Sequence, residues 1–210
     1  MQKKFLAYTI LFIFALGLLM LAGCASTPSP RFYTLSPMAG PESIGEAQPF
    51  SQGRTIGLGP VRFPDYLNRP GIITRTDDNT LQIAEFDHWA GSLKENFTLV
   101  MAENLGLLLE RDKIVLYPYG MTLIPNIRII LAVTRFEGSL GGKIFLDAYW
   151  VIQEGPEKKE GVGQKFRISE PVNGSDYRSL AAAQSRAVER LCREIAKALQ
   201  QPSSGASLSK

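Results

Sequence analysis

The chain has 210 residues, with 23 Lys and Arg against 20 Asp and Glu, one histidine and two cysteines. This length fits one ordinary domain with a real hydrophobic core behind any targeting segment. The near balance of charge, with no basic block of five or more residues, gives no support to nucleic-acid binding. A single histidine and so few thiols exclude the usual zinc clusters.

The first two dozen residues have the pattern of a secretory signal. Lys3 and Lys4 precede an apolar run over residues 5–22. The last two residues of this run begin the sequence Leu-Ala-Gly-Cys at residues 21–24. A basic start, an apolar stretch and small residues before a break are typical of export signals. An uncleaved membrane anchor is the alternative, because 18 apolar residues could just span a bilayer. Gly17 and the small residues before the cysteine favour cleavage.

The end of this segment resembles the bacterial lipobox. The resemblance implies that signal peptidase II cuts between Gly23 and Cys24, so that residues 1–23 are a signal peptide. Cys24 would then carry a diacylglyceryl thioether and an amide-linked acyl chain such as palmitate. Each buried methylene contributes about 0.8 kcal/mol, so three chains anchor the protein permanently. Ala25, in place of aspartate, favours the periplasmic face of the outer membrane over the inner membrane by resemblance to enterobacterial sorting.

The mature chain is predicted to be one domain on a short tether. Residues 24–30 form a lipidated tether rich in Ser, Thr and Pro, and residues 31–199 form the domain. Six extended residues reach about 20 Å, so the domain is held close to its membrane. Residues 36–54 are rich in Pro and Gly and predict a long loop. Residues 200–210 predict a polar, disordered tail.

The first half of the domain is predicted to combine short strands with one helix. The predicted strands are residues 31–35, 55–61, 72–76, 81–85 and 114–117. Residues 77–79 (Asp-Asp-Asn) indicate a hairpin turn, and calcium binding there is the weaker alternative because no glutamate closes an EF-hand spacing. Apolar residues three and four apart predict a helix from about His88 to Leu109, with Asp87 as its N-cap.

The second half is predicted to be an antiparallel meander followed by a helix. Alternating apolar residues give strands at residues 126–137, 143–153 and 161–169. An apolar stripe predicts the last helix over about Asp176 to Leu199, with Cys192 as a buried, inert thiol. The fold class is therefore α/β, a two-layer sandwich with a mixed, mostly antiparallel sheet and helices packed on one face.

The other face of the predicted sheet is also partly apolar. Its outward side chains are Phe145, Tyr149 and Val151 on the middle strand and Ile130 and Phe136 on the strand before it. A sheet that is apolar on both sides is seldom left exposed to water. Either the loop at residues 36–54 covers this face or another chain does, and self-association is the sharper hypothesis.

No catalytic, cofactor or metal site is predicted, and the chain is expected not to be an enzyme. The sequence has no nucleophile elbow, phosphate-binding loop or dinucleotide fingerprint. Ser92 lies four residues after His88, but a nucleophile and base there would still need an orienting acid and an oxyanion hole. Helix capping or a surface polar contact is the favoured interpretation. The lipid on Cys24 is the one predicted non-protein group.

A nearly continuous block between Ile56 and Leu93 resembles the ABC-type transport auxiliary lipoprotein component family. The matching segments are residues 56–61, 64–67, 69–70, 73–75 and 84–86, together with Leu81, Trp89, Ala90 and Leu93. Residues 32–35, Arg135, Phe136, Trp150 and the alanine-rich last helix match as well. The resemblance covers nearly the whole mature chain.

The resemblance implies an accessory subunit of an MCE/ABC-type transport system that moves lipids or other apolar molecules between the inner and outer membranes. The implied partners are an MCE-domain protein, an ABC permease complex and further copies of the chain. The chain itself would act as an oligomeric docking adaptor. Residues 64–70 are the predicted contact segment, with Tyr66, Leu67 and Arg69 as anchors and Tyr149 on the sheet. A buried structural turn is the alternative for this segment.

Two other functions remain open at this point. The first is a periplasmic carrier that binds lipid directly in an apolar cavity between the helices and the sheet, and it would retain phospholipid when purified. The second is an envelope-stress or cell-wall-binding lipoprotein without a transporter. An adjacent permease, ATPase and MCE gene would favour the adaptor over this second alternative.

Overall fold

The computed structural model describes residues 2–21, 28–40, 53–120, 123–155 and 163–201. Two compact units divide the chain between Pro30 and Arg31, and the first contains helix α1, Gln2–Leu21. Across the described ranges, none of the helices combines the length and apolarity needed to cross a membrane. The predicted cleavage site at Gly23 and Cys24 lies outside the described residues, as does most of the predicted polar tail.

The second unit is built from two sheets and two long helices over its described residues. Its strands are β1 Arg31–Tyr33, β2 Thr55–Arg62, β3 Gly71–Arg75, β4 Leu81–Trp89, β5 Lys113–Leu116, β6 Ile127–Gly138, β7 Lys143–Glu154 and β8 Gly163–Pro171. The helices are α2 Leu93–Leu108 and α3 Tyr177–Gln200, with a 3-10 turn at Asp65–Leu67. The strand orders are β1-β4-β3 and β5-β2-β6-β7-β8.

The α/β sandwich predicted from the sequence is confirmed. In the five-stranded sheet, β5, β2 and β6 pair in parallel, while β6, β7 and β8 form the predicted antiparallel meander. Helices α2 and α3 pack on one another and on this sheet. The prediction of a single sheet is too simple, because β1, β4 and β3 pair among themselves.

Helix α3 follows its sequence pattern closely. The Asp176 carboxylate caps its first turn by accepting from the Ser179 N–H at 2.7 Å, and this backbone hydrogen bond holds the pKa of Asp176 below its usual value. Leu180, Leu191 and the predicted thiol of Cys192 are fully buried on its inner stripe. Burial raises the pKa of Cys192, which keeps the thiol neutral and inert.

The prediction that the helix after β4 begins at about His88, with Asp87 as its N-cap, is wrong. Residues up to Trp89 belong to β4, and α2 begins at Leu93. Ser92 is its N-cap, with the hydroxyl accepting from the Glu95 N–H at 3.3 Å, which confirms the capping interpretation of this serine.

Long-range pairing explains why β4 continues to Trp89. Strand β1 adds in parallel to its end, with Arg31 opposite Asp87 and Tyr33 opposite Trp89. The buried Asp87 carboxylate accepts from the Arg31 guanidinium at 2.8 Å and from the Tyr33 hydroxyl at 2.7 Å. These bonds commit Asp87 to the strand, although local periodicity favours a helix.

A bulge in β6 corrects the predicted position of Phe136. Val133 pairs with Ala148 and Arg135 with Asp147, so Thr134 is an extra residue on β6. One added residue reverses the inward and outward faces beyond it. Phe136 is therefore fully buried in the core rather than exposed on the outer face.

The loop at residues 36–54 is described only at its ends, and both ends lie on the helix side. The Met38 N–H donates to Asn104 of α2 at 2.7 Å, and the Ser36 N–H donates to Ser185 of α3 at 3.1 Å. At the other end, Arg54 donates to the Leu199 carbonyl of α3 at 3.1 Å. The described parts of this loop therefore do not cover the outer face of the sheet; residues 41–52 lie outside the described residues.

Candidate functional site

An apolar strip remains exposed on the outer face of β6 and β7. It consists of Ile130, Ala132, Tyr149 and Val151, and we call it the outer strip. Ile130 pairs with Val151 and Ala132 with Tyr149, so the four side chains are adjacent on one face. Tyr149 is 48% exposed, and the other three are half-buried. The strip offers a compact apolar surface with an aromatic centre.

One end of the outer face is covered by Tyr119. Its hydroxyl donates to the Gly59 carbonyl at 2.9 Å, and its ring lies over Gly57 of β2, where any Cβ would approach the ring within 2.5 Å. Burial raises the pKa of Tyr119. The sequence analysis did not predict this contact. The one local indication of it is Gly57, a glycine in the middle of an apolar strand.

Charged side chains surround the outer strip on its other sides. The Lys165 ammonium of β8 lies 5.4 Å from the centre of the Tyr149 ring. The Arg135 guanidinium lies 4.0 Å from the centre of the Phe145 ring. Asp147 lies 3.8 Å from Arg167 of β8. An apolar centre with a polar rim is the usual anatomy of a protein–protein contact surface.

Beside this rim, a buried carboxylate binds three elements together. Glu137 is fully buried at the end of β6, and its Oε1 accepts from Arg75 at 2.9 Å and from Arg135 at 3.0 Å. Its Oε2 accepts from the Tyr66 hydroxyl at 2.7 Å and from the Phe136 N–H at 3.1 Å. The carboxylate is satisfied on both oxygens, so it links β3 and the 65–67 turn to β6.

The predicted contact segment at residues 64–70 is mainly structural. Leu67 is buried in the core, so its predicted role as a surface anchor is wrong. Tyr66 is half-buried and committed to Glu137. Arg69 is the one of the three predicted anchors that is exposed. Of the four predicted contact residues, Tyr149 and Arg69 are therefore available on the surface.

Tyr66→Phe tests the link to Glu137 through pH. Burial, followed by the hydrogen bond to Glu137, raises the pKa of Tyr66 above its ordinary 10.0. The fold favours the neutral phenol, so its contribution is complete below about pH 10 and is lost as the pH rises toward the raised pKa. We expect Tyr66→Phe to lower the free energy of unfolding by about 1.5 kcal/mol at neutral pH.

The same variant should show a shallower loss of stability above about pH 10 than the parent chain. Urea unfolding of the chain from residue 25 onward, at neutral and alkaline pH, measures both effects. Tyr149→Phe is the matched control, since Tyr149 is exposed and its hydroxyl makes no hydrogen bond to the described residues. Equal alkaline slopes for the parent and Tyr66→Phe would refute the assignment.

The remaining polar residues singled out in the sequence are structural where they are described. Asp77 closes the predicted hairpin turn by accepting from the Asn79 N–H at 2.9 Å. His88 lies in β4, while Ser92 caps α2, so the two belong to different elements. Within the described ranges, no three His, Cys, Asp or Glu side chains are grouped to hold a metal ion.

The space between the helices and the five-stranded sheet is filled by side chains. Phe97 of α2, Phe136 of β6 and Phe63 form edge-to-face pairs with ring centroids 5.0–6.2 Å apart. Clefts of about 380 and 480 Å³ lie at the surface, one between residues 33–39 and α3 and one beside Arg54 and Ile124. Neither of these two clefts lies between the helices and the five-stranded sheet.

The fold is an α/β sandwich whose outer face presents an apolar strip with a charged rim. The family comparison gives the narrower identity. The chain belongs to the ABC-type transport auxiliary lipoprotein component family, whose model matches residues 33–196. The predicted family is thereby confirmed, and with it a place among accessory lipoproteins of transport.

Individual relatives agree with this assignment. The chain is 25% identical over 176 residues to the intermembrane transport lipoprotein PqiC of Escherichia coli K12, covering 78% of this chain and 91% of that protein. PqiC of Shigella flexneri matches equally. The fold is similar to a crystal structure from Xanthomonas campestris, with a TM-score of 0.62, 15% identity and coverage of 79% and 92%. An uncharacterized protein gives a TM-score of 0.67 at 19% identity, covering 82% of this chain and 99% of that one.

Proposed function

We propose that this chain is a non-enzymatic docking adaptor, anchored by lipid on Cys24 to the periplasmic face of the outer membrane. Its partners are an MCE-domain protein and an ABC permease complex that move lipids or other apolar molecules between the two membranes. The outer strip around Tyr149 is the observation that carries the proposal. Similarity to the intermembrane transport lipoprotein PqiC supports the transport context.

The outer strip is proposed to contact a second copy of the chain or the MCE-domain protein. Tyrosine is enriched among the residues that contribute most to binding, because its ring buries a large area at low entropic cost. The strip is pre-formed on two paired strands, so little ordering remains to oppose binding. The Lys165 ammonium beside Tyr149 favours a partner surface with a complementary acidic group.

Anchoring makes such a modest surface sufficient. A lipid on Cys24 confines the adaptor to one leaflet, so its effective concentration near a partner in the same envelope rises without any new contact. The mechanism is therefore one of positioning. The chain holds the end of a transport assembly at a membrane, and it breaks no bond.

A photo-activatable amino acid at position 149 tests this proposal in cells. We expect cross-links from this position to a second copy of the chain, to an MCE-domain protein or to both, because Tyr149 is the centre of the outer strip. Leu99 of α2 is a control of matched exposure, at 51%, on the helix layer. Recovery of neither partner from position 149, or equal recovery from position 99, would overturn the proposal.

A further inference from the structure

A second apolar patch lies on the three-stranded sheet. Phe32 of β1 is 65% exposed, and its ring lies 5.9 Å from the His88 ring of β4, its partner in the parallel pair. Ile83 of β4 is 51% exposed. A phenylalanine side chain exposed on an edge strand presents a large apolar area to water. This patch is separate from the outer strip, so its exposure needs its own explanation.

Phe32 and Ile83 share one side of this sheet. Gly71 of β3 pairs with His88, so a Cβ at position 71 would point to the same side as the His88 side chain. The Cγ2 of Ile83 lies 2.7 Å from the position that this Cβ would occupy. Glycine at position 71 therefore makes room for Ile83 next to His88 and Phe32.

One exposed arginine lies near the apolar side chains. Arg69 is exposed, and the next residue, Pro70, accepts from the Trp89 N–H at 2.8 Å, which places Arg69 at the His88 end of β4. Arg31 does not belong to this patch, because its guanidinium pairs with the buried Asp87, which alternates with His88 along β4 and faces the other side of the sheet. Apolar and aromatic side chains beside an exposed cation match the interface of a bilayer with anionic lipids.

The tether makes a bilayer the natural occupant. Phe32 is eight residues after Cys24 in the sequence. Eight extended residues span at most about 28 Å, which is shorter than the diameter of about 40 Å expected for a domain of this size. The end of the domain where β1 begins therefore cannot move far from the leaflet that holds the acyl chains.

We propose that Phe32 and Ile83, with the neighbouring Arg69, rest on the lipid surface and fix the orientation of the domain on its membrane. This inference rests on the lipid anchor of the proposed function. With the anchor alone, the domain would rotate freely about its tether. A second contact restricts that rotation and keeps the outer strip in a constant direction relative to the leaflet.

A fluorescent label at position 32 tests the contact in the full, lipidated chain. The variant Phe32→Cys is labelled with the environment-sensitive dye NBD; Cys192 is fully buried and Cys24 is acylated, so neither competes for the dye. The protein is reconstituted in vesicles of phosphatidylethanolamine and phosphatidylglycerol that contain doxyl-labelled lipid. We expect the label to lie about 5–10 Å below the headgroups and to be quenched by the doxyl groups.

Ile124→Cys is the matched control. Ile124 is 74% exposed and lines a cleft with Arg54. Arg54 donates a hydrogen bond to the Leu199 carbonyl, so this cleft lies near the C-terminal end of α3. Tyr33, the neighbour of Phe32, packs against Tyr177 at the N-terminal end of α3. These two ends of α3 are about 33 Å apart. The label at position 124 should therefore stay in water and remain unquenched.

Each outcome has a distinct meaning. Quenching at position 32 but not at position 124 supports the contact. A chain that floats with the vesicles while both labels stay in water overturns the contact and leaves the anchor intact. A blue-shifted label at position 32 without doxyl quenching shows a protein partner instead of lipid and also overturns it. A chain that fails to float overturns the anchor and this inference together.

Discussion

Glu137→Gln is expected to lower the free energy of unfolding by about 3 kcal/mol, because it removes the negative charge that two arginines share inside the protein. The Glu137 side chain is fully buried, while those of Arg75 and Arg135 are 24% and 31% exposed. Glutamine has nearly the same volume, so packing is retained and the loss reports the charge. Urea unfolding of the chain from residue 25 onward, followed by tryptophan fluorescence, measures it.

Glu85→Gln is the control for this variant, since Glu85 is an exposed glutamate on β4. Its effect should stay within about 0.5 kcal/mol. The double variant of Glu137→Gln with Tyr66→Phe should be less destabilised than the sum of the two single variants, because the residues are joined by a hydrogen bond. Additive effects, or a Glu137→Gln variant as stable as the control, would show that the buried carboxylate does not hold β3 and the 65–67 turn to β6.

The elements that the sequence predicts well are those that depend on local pattern. Helix α3 was expected from Asp176 to Leu199 and spans Tyr177–Gln200, because its apolar stripe and its N-cap are both local signals. The meander of β6, β7 and β8 follows from the alternation of apolar and polar residues. Such alternation indicates antiparallel strands when turn residues lie between the segments.

The features that the sequence predicts wrongly depend on contacts between residues that are distant in the chain. Residues 87–89 look helical until β1 is paired beside them, and that pairing joins positions 56 residues apart. Phe136 looks outward until the bulge at Thr134 is known, since alternation by itself contains no sign of an inserted residue. The separate three-stranded sheet has the same origin, because β1 is only three residues long and its partner is set by tertiary packing.

The residues of the candidate site show the same difference between local and long-range signals. The sequence correctly predicts that Tyr149 faces outward, because buried and less buried side chains alternate regularly along β7 up to this residue. Tyr66 and Leu67 look like exposed anchors between two prolines, but Leu67 is buried and Tyr66 meets a carboxylate 71 positions away. A tyrosine, two arginines and a glutamate scattered over 72 residues give no sequence motif, so the Glu137 cluster becomes visible only in the folded chain.

Cys24→Ala is expected to abolish acylation, cleavage and function together. The predicted signal ends at Gly23, and processing by signal peptidase II requires the lipid-modified cysteine, so the variant should remain at precursor length with residues 1–23 attached. Without three acyl chains, each methylene of which contributes about 0.8 kcal/mol, the unprocessed variant has no stable hold on the outer membrane. Labelled palmitate incorporation, precursor size and outer-membrane fractionation measure the three effects.

Cys192→Ala separates this prediction from any general effect of losing a thiol. Cys192 is fully buried in α3 between the helices, so its removal affects packing but leaves the N-terminal segment unchanged. That variant should still incorporate palmitate and fractionate with the outer membrane. The two cysteines thus divide the chain into an anchoring part and a folded part. A Cys24→Ala chain that is still processed, still fractionates with the outer membrane and still supports transport would show that positioning by lipid is not how this protein acts.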